Sequence, residues 1–223
     1  MNRYLFNIGT LNIFTDASVK NLGNKYISCA GCICVITKEN GSTEVIEEKY
    51  FVLDDASNNR GELYAICQAI LLAIKYRNNF NTINILSDSQ FSIFGLREWV
   101  YKWRKNIVND TYVNVSGKSV ANQDLFKFAI HTILSSGIHI NFYHQKGHSY
   151  TTKGMKKARN VFRNSNGFDL PDVELEAICY YNDLVDINTG YKLSENAYKI
   201  PMPLIYTSNF DEKQYRKLVN KVK

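Results

Sequence analysis

The order of strand-like and helix-like segments constrains the fold of this chain more than any other feature of its sequence. Three runs rich in β-branched and aromatic residues come first, at 11–15, 27–37 and 43–53. Asn40-Gly41 lies between the second and third runs and is typical of a β-hairpin turn. We therefore expect an antiparallel meander of three strands in the first part of the molecule.

The second part of the chain alternates helices with strands. Apolar residues recur at helical spacing across 60–76. Further segments complete the pattern: a strand at 82–86, short helical pieces up to 104, a helix around 125–133, a strand at 138–143 and a helix at 173–186. Strands that are joined through helices tend to lie parallel in one sheet. We predict an α/β fold with a five-stranded mixed sheet, in which the antiparallel meander is joined by two helix-connected parallel strands and helices flank the sheet.

Composition indicates an ordinary globular protein. Hydrophobic residues make up 45% and charged residues 22% of the 223 positions. No apolar run approaches the about 20 residues of a membrane span, and the N-terminus lacks a signal-peptide pattern, so we expect an intracellular, cytoplasmic protein without a membrane partner. The odd number of cysteines, five, argues against a disulfide framework. Cys29 and Cys32 lie in an apolar strand-like run and are expected in the core.

Four acidic residues lie in distinctive, partly apolar surroundings: Asp16, Glu62, Asp88 and Asp186. Each one taken alone is compatible with a turn, a helix cap or an exposed helix face. Parallel strands joined through a helix, however, bring Asp16 and Asp88 to the same end of the sheet, and Glu62 lies in the first turn of the joining helix. A carboxylate cluster of this kind needs cations to offset its charge, and oxygen ligands favour Mg²⁺ or Mn²⁺ over zinc.

Five short motifs follow one another in order between positions 15 and 186. They are Thr15-Asp16-Ala17-Ser18, Ser57-Asn58-Asn59-Arg60-Gly61-Glu62-Leu63, Ser87-Asp88-Ser89-Gln90, Lys146-Gly147-His148 and Asn182-Asp183-Leu184-Val185-Asp186. Together they resemble the type 1 ribonuclease H family. The resemblance implies a ribonuclease H-like fold and an endoribonuclease that hydrolyses the RNA strand of RNA–DNA hybrids, leaving 5′-phosphate and 3′-hydroxyl ends. We expect a monomer that acts without a protein partner.

The same resemblance assigns roles to single residues. It implies two Mg²⁺ ions, with Mn²⁺ as a possible substitute, held by Asp16, Glu62, Asp88 and Asp186 in a two-metal mechanism. His148 matches the family's mobile histidine, which implies a catalytic role in proton movement and product release. Substrate-binding positions implied in this way are Ser57, Asn58, Asn59, Gln90, Trp99, Arg104 and Lys105. For the neighbouring Trp103, contact with the substrate and a place in the core are equal alternatives.

The interval between His148 and Asp186 is longer than the family pattern leads us to expect. Its first half, a basic insertion around 149–171, has no acid between 149 and 167 and carries Lys153, Lys156, Lys157, Arg159 and Arg163. We hypothesise that these residues help to hold the substrate, and a solvated basic loop is the alternative. The long interval also leaves Asp172, Glu174 and Asp183 as alternative fourth ligands, although the spacing from Asn182 favours Asp186.

We predict a ribonuclease H domain at 1–187 and a C-terminal extension at 188–223, which is either an appendage or a loosely packed tail. Two other functions stay open at this point. One is a nucleic-acid-binding module that has this fold without catalysis, which a loss of metal binding despite the four acids would favour. The other is a nuclease of the same fold that acts on another nucleic-acid structure, against which the Asn58, Asn59 and Gln90 matches argue.

Overall fold

The computed structural model describes residues 3–54, 56–148, 154–195 and 210–220. Its strands are β1 (Thr10–Asn21), β2 (Tyr26–Thr37), β3 (Thr43–Asp54), β4 (Thr82–Ser87), β5 (Ile107–Val108), β6 (Thr111–Tyr112), β7 (Ile140–His144) and β8 (Val219–Asn220). The main sheet has the strand order β3-β2-β1-β4-β7-β8, and β5 pairs with β6 in a separate hairpin.

The main sheet contains the predicted five strands in the predicted directions. β1, β2 and β3 form the antiparallel meander, and β4 and β7 join β1 in parallel. The two residues of β8 then pair in parallel with β7 and add a sixth strand, which the sequence analysis did not predict. The mixed sheet is therefore confirmed and is extended at one edge.

The helices are α1 (Asn58–Tyr76), α2 (Gln90–Phe94), α3 (Val100–Trp103), α4 (Gln123–Ser136), α5 (Met155–Asn166), α6 (Asp172–Ser194) and α7 (Glu212–Leu218), with a π-helical turn at Gly95–Trp99 between α2 and α3. They cover both faces of the sheet. Successive residues of a strand point to opposite faces, so Ile13 of β1 packs in the core with α1 and α4, whereas Phe14 packs in the core with α5 and α6. Trp103 is only 8% exposed and packs edge-on against Phe126, which places it in the core.

The basic insertion contains a helix, α5, rather than a solvated loop. Ala158 and Phe162, four residues apart on one face, are both buried. The ring of Phe162 packs against Tyr143 of the sheet and Phe168 of the following turn. The remaining residues of α5 are mostly polar, so its short apolar stripe is enough to attach the helix to the domain.

The described part of the C-terminal extension packs on the core. Tyr215 of α7 is fully buried, and its hydroxyl donates a hydrogen bond to the carbonyl of Leu96 at 3.2 Å. The preceding helix α6 also continues past position 187 to Ser194. The segment with Pro201 and Pro203 lies outside the described residues, as does Lys153 of the insertion, and the division into domain and extension stays a prediction.

All five cysteines are buried, which confirms the predicted place of Cys29 and Cys32 in the core. Cys32 and Cys34 of β2 and Cys67 of α1 pack in the same apolar cluster as Ile13, and Cys179 of α6 packs in the cluster that contains Phe14. Of the helices that the structure describes, none is long and apolar enough to cross a membrane.

Candidate active site

Three carboxylates come together where the parallel pairing of β1 with β4 ends, which is in the middle of β1 and at the end of β4. Thr15 and Ser87 are partners in the parallel ladder, so the residues that follow them, Asp16 and Asp88, emerge side by side. Glu62 reaches the same place from α1, where it is the residue just after the first turn rather than within it, because the helix begins at Asn58, earlier than predicted. Carboxylate oxygens of the three acids all lie within 4.8 Å of one another.

Gly61 allows α1 to come close enough for this arrangement. A Cβ atom at position 61 would lie 2.1 Å from Oγ of Ser28 and 2.9 Å from Cβ of Ala17. Real Cβ atoms do not approach other atoms so closely, so any side chain here would push α1 away from β1 and β2. The glycine before Glu62 is therefore required by the packing of the helix on the sheet.

The electrostatics of the three acids favour a positive charge between them. Burial, followed by the charge of Asp88, raises the pKa of Asp16 to about 9. Burial also raises the pKa of Glu62 to about 7, and burial and the charge of Asp186 raise the pKa of Asp88. Ionising all three groups together is unfavourable unless a cation lies between them.

Two side chains fix the orientation of Glu62. Nδ2 of Asn58 donates a hydrogen bond to its Oε1 at 2.6 Å, and Oγ of Ser89 donates one to its Oε2 at 2.6 Å. The motifs indicate a substrate role for Asn58 and none for Ser89. Asn58 precedes Glu62 by four residues in α1, a spacing at which helical side chains meet, whereas the contact of Ser89 depends on how α1 packs beside α2.

Asp186 lies on α6 and faces the same cavity, although it is not part of the group of three within 4.8 Å. Its Oδ2 lies 2.9 Å from Nε2 of His148, and Oδ1 of Asp183 accepts a hydrogen bond from the backbone N–H of His148 at 3.3 Å. The charge of Asp186 contributes to the raised pKa values of both Asp16 and Asp88. The four acids thus form one electrostatic unit.

The other two alternatives for a fourth acid are engaged elsewhere. Asp172 pairs with the guanidinium of Arg159. The carboxylate of Glu174 accepts hydrogen bonds from the backbone N–H groups of Leu5, at 2.7 Å, and Phe6, at 3.0 Å. Neither acid lines the cavity, so Asp183 is the alternative that stays beside Asp186.

The cavity between these elements has a volume of about 190 Å³. It is lined by Thr15, Asp16, Ala17, Asn58, Glu62, Asp88, Gly147, His148, Asn182, Asp183 and Asp186. Oδ1 of Asp88 and Oδ1 of Asn182 are buried there without a hydrogen-bond partner among the described residues. A buried acceptor without a donor is costly, and close carboxylate oxygens are the ligands that hard divalent cations prefer, so the donor set fits Mg²⁺ or Mn²⁺.

Four of the positions assigned to the substrate lie at the starts of α1 and α2, and one of them, Asn58, lines the cavity. Ser57 accepts a hydrogen bond from the backbone N–H of Arg60 and caps α1, while Asn58 and Asn59 begin that helix. Gln90 begins α2. All four are exposed, so their polar groups are accessible from solvent.

The remaining positions assigned to the substrate differ in their surroundings. Trp99 is half-buried against Phe91 and Phe94, and Lys105 is exposed. Arg104 turns toward the C-terminal segment, where its Nη1 donates a hydrogen bond to the carbonyl of Phe210 at 2.9 Å. This partner is 106 residues further along the chain, and no local pattern in the sequence indicates the contact.

Comparisons with known proteins agree with this geometry. The model of the RNase H family, described as RNase H, matches residues 9–163. Ribonuclease HI of Haemophilus ducreyi is 31% identical over 143 residues, covering 63% of this chain and 80% of the relative. Ribonuclease HI of Pasteurella multocida is 32% identical over 139 residues, with 62% and 79% coverage.

Solved structures show the same fold at lower identity. The crystal structure of LC9-RNase H1 aligns with a TM-score of 0.51 and 15% identity over 90% of this chain and 96% of that one. The solution structure of the PFV RNase H domain aligns with a TM-score of 0.51 and 18% identity, over 69% and 92%. With a family match over most of its length and this arrangement of acids, the chain belongs to the RNase H family.

Proposed function

We propose that this chain is a ribonuclease H that hydrolyses the RNA strand of RNA–DNA hybrids and leaves 5′-phosphate and 3′-hydroxyl ends. The observation that carries the proposal is the convergence of Asp16, Glu62 and Asp88 within 4.8 Å where the pairing of β1 with β4 ends. Asp186 faces the same cavity. Membership of the RNase H family indicates the class of reaction, and the acids are suitable ligands for the cations that such a reaction needs.

Two divalent cations, Mg²⁺ or Mn²⁺, fit the four carboxylates as ligands. Bound cations of this kind lower the pKa of an attacking water and stabilise the charge on the leaving 3′-oxygen. The buried Oδ1 of Asp88 and the raised pKa values of Asp16 and Glu62 support this role, because each of these features is relieved by a positive charge. Asn58 and Ser89 hold the Glu62 carboxylate ready for it.

The other residues around the cavity handle protons and the substrate. The exposed ring of His148 lies within hydrogen-bond distance of Asp186, which suits proton transfer and product release at Nε2. The amides of Asn59 and Gln90 are exposed. In that position they can bond base edges and the ribose 2′-hydroxyl, the group that distinguishes RNA from DNA.

Asp186→Asn is expected to reduce hybrid cleavage by about 100-fold or more, which corresponds to about 3 kcal/mol of transition-state stabilisation. Asp183→Asn is the matched variant and should stay within about fivefold of the wild type, because the charge of Asp186, rather than that of Asp183, contributes to the raised pKa values of Asp16 and Asp88. The measurement is cleavage of an end-labelled RNA–DNA hybrid in Mg²⁺.

The same assay separates the competing functions when single-stranded RNA, duplex RNA and duplex DNA are included. A greater loss in Asp183→Asn than in Asp186→Asn would move the fourth ligand to Asp183. Preferred cleavage of another duplex would indicate a nuclease of the same fold with a different substrate. Binding of the hybrid without any cleavage would indicate a non-catalytic binding module.

Helix α5 offers a second contact for the nucleic acid, and we propose that its lysines bind the phosphate backbone. The two arginines of α5 each face an acid. Arg159 pairs with Asp172, and Nη1 of Arg163 lies 3.7 Å from Oδ2 of Asp169. Lys156 and Lys157 are exposed, and no acid among the described residues lies within ion-pair distance of them. These two residues therefore carry the positive charge of α5 that is available to a polyanion.

Replacing Lys156 and Lys157 together with glutamine should weaken hybrid binding about tenfold at low salt. The slope of log Kd against log salt should fall by about 0.9 for each phosphate contact removed. Lys213 and Lys217, exposed on α7, provide a control that removes the same charge. Fluorescence anisotropy with a labelled hybrid measures both quantities, and an unchanged salt slope would show that α5 does not contact the substrate.

A further inference from the structure

The main chain of Asp88 is held by a side chain that none of the motifs contains. His144 is the last residue of β7 and the ladder partner of Ser87, the residue before Asp88. The backbone N–H of Gln145 donates to the carbonyl of Ser87 at 3.1 Å, and the β4–β7 pairing ends there. Nε2 of His144 lies 3.1 Å from the carbonyl oxygen of Asp88.

The partners of this imidazole fix which nitrogen carries its hydrogen. A backbone carbonyl can only accept a hydrogen bond, so Nε2 of His144 donates to Asp88. In the neutral ring Nδ1 then accepts, and the hydroxyl of Ser165 lies 2.8 Å away as its donor. One hydroxyl and one carbonyl thus define both the tautomer and the orientation of a side chain that is only 6% exposed.

The end of α5 holds the backbone of His144 in addition to its ring. Asn166 accepts from the N–H of His144 at 3.0 Å and donates to its carbonyl at 2.8 Å. Arg97, buried on the π-helical turn, donates to Oδ1 of Asn166 at 3.1 Å. The last turn of α5, the helix of the basic insertion, is in this way connected through His144 to Asp88.

The carboxylate of Asp88 is sensitive to small movements of its own backbone. A Cβ atom at Gly147 would lie 2.8 Å from its Oδ2, and its Oδ1 is buried without a hydrogen-bond partner among the described residues. Oδ2 is thus packed closely against the backbone of Gly147, so a shift of the Asp88 main chain would change how the carboxylate meets that backbone. Contacts behind a metal ligand commonly set its position and its affinity for the ion.

We infer that His144 is a positioning residue for the proposed reaction, which holds the main chain of Asp88, and with it the carboxylate, through the hydrogen bond from Nε2, while Ser165 and Asn166 of α5 hold His144. The inference rests on the proposed function and extends it to the inserted helix. It assigns α5 a part in building the site, separate from any contact of its lysines with the nucleic acid.

Three substitutions at position 144 test the inference. His144→Gln keeps a donor near the place of Nε2, His144→Asn keeps a polar group near the place of Nδ1, and His144→Phe keeps only the shape of the ring. We expect kcat for hybrid cleavage to fall about 10- to 100-fold in the Asn and Phe variants and to be partly restored in the Gln variant. The KM for the hybrid should stay within about twofold, because substrate-contacting groups are unchanged.

A second readout does not depend on activity. The rise in Tm that Mn²⁺ produces in the absence of substrate should be smaller in the Asn and Phe variants than in the wild type and in the Gln variant. A residue that merely fills space would give the opposite order, with Phe the best substitute. Equal Mn²⁺ responses in all four proteins, or the Phe variant surpassing the Gln variant, would overturn the inference.

Ser165 supplies a milder variant if a change at position 144 prevents folding. Ser165→Ala removes only the hydroxyl at Nδ1 and should lower kcat by about 3- to 10-fold, and Ser165→Thr should restore it. His131→Phe on α4 controls for the loss of a histidine elsewhere. Failure of the wild type to cleave any hybrid would contradict the proposed function, whereas normal cleavage and a normal Mn²⁺ response in both Ser165→Ala and His144→Phe would contradict the positioning role alone.

Discussion

Asp16→Asn is expected to abolish hybrid cleavage and, at the same time, to make the cation-free protein more stable. Asp16 is buried beside Asp88, and its pKa is raised to about 9 by burial first and by that neighbouring charge second. Its loss removes a ligand proposed for the cations, so we expect activity to fall by at least about 1000-fold, or about 4 kcal/mol. The stabilising effect follows from the same burial.

The sign of the stability effect is set by the protons that each state binds. The folded protein retains a proton on Asp16 at pH values where the unfolded chain, with its ordinary pKa of 3.8, has lost it. The free energy of unfolding of the cation-free wild type therefore decreases as the pH rises from about 4 to about 9. Asparagine is neutral throughout this range, so the variant lacks this part of the pH-dependent decrease. Without cations, its free energy of unfolding near neutral pH should exceed that of the wild type by about 1–3 kcal/mol.

Thermal unfolding in EDTA at several pH values measures this difference in stability. Titrations with Mg²⁺ then measure how much the cation raises the Tm of each protein. Mg²⁺ should raise the Tm of the wild type and have little effect on Asp16→Asn. Asp169→Asn, at an exposed position outside the cavity, is the matched control and should change neither quantity. A variant that is less stable than the wild type in EDTA would show that the Asp16 carboxylate stabilises the fold without cations.

Gly61→Ala should destabilise the protein and damage the site together. The added methyl group would lie 2.1 Å from Oγ of Ser28 and 2.9 Å from Cβ of Ala17, so α1 must move away from β1 and β2. Overpacking of this kind costs about 1–3 kcal/mol, and α1 also carries Glu62. We expect kcat to fall more than about tenfold, because misplacing a catalytic group by about 1 Å has effects of that size or larger.

Denaturant unfolding and hybrid cleavage test both effects. Gly190→Ala is the matched control, since a Cβ at Gly190 of α6 would meet only Oγ of Ser18, at an ordinary 3.6 Å. That substitution should be neutral or should stabilise α6 by up to about 1 kcal/mol. The double variant Gly61→Ala, Ser28→Ala should recover part of the lost stability, and no coupling between the two positions would show that the clash is not the cause.

The parts of the structure that the sequence could predict are those with a local physical signal. β1 and β2 contain mostly apolar runs without strict alternation, as expected of strands covered on both faces, and residues 10–17 and 28–35 are all buried. The apolar residues of α1 recur at helical spacing, and Leu63, Ile66, Cys67 and Ile70 of this stripe are buried. The meeting of Asp16 with Asp88 follows from two parallel strands joined through a helix. The cysteines of β2 also lie where an apolar run predicts them, in the core.

The parts that the sequence analysis missed depend on distant partners or on weak patterns. Helix α5 buries few apolar side chains, so its polar composition resembles that of a loop. The contact of Arg104 with Phe210 spans 106 residues, and the bond from His144 to the Asp88 carbonyl spans 56. β8 is only two residues long and depends on β7 for its existence.

The outer side of β7 has a consequence for how copies of this chain can associate. Exposed edge strands offer unpaired backbone groups to strands of other molecules. Here β8 pairs with β7 at Ile140, and Arg97 donates a hydrogen bond to the carbonyl of Phe142. The side chain of Asn166 bonds both the N–H and the carbonyl of His144. Strand addition directly onto β7 is thus blocked. The edges of the sheet are then β8, which is only two residues long, and β3, whose charges at Glu47, Glu48 and Lys49 oppose addition.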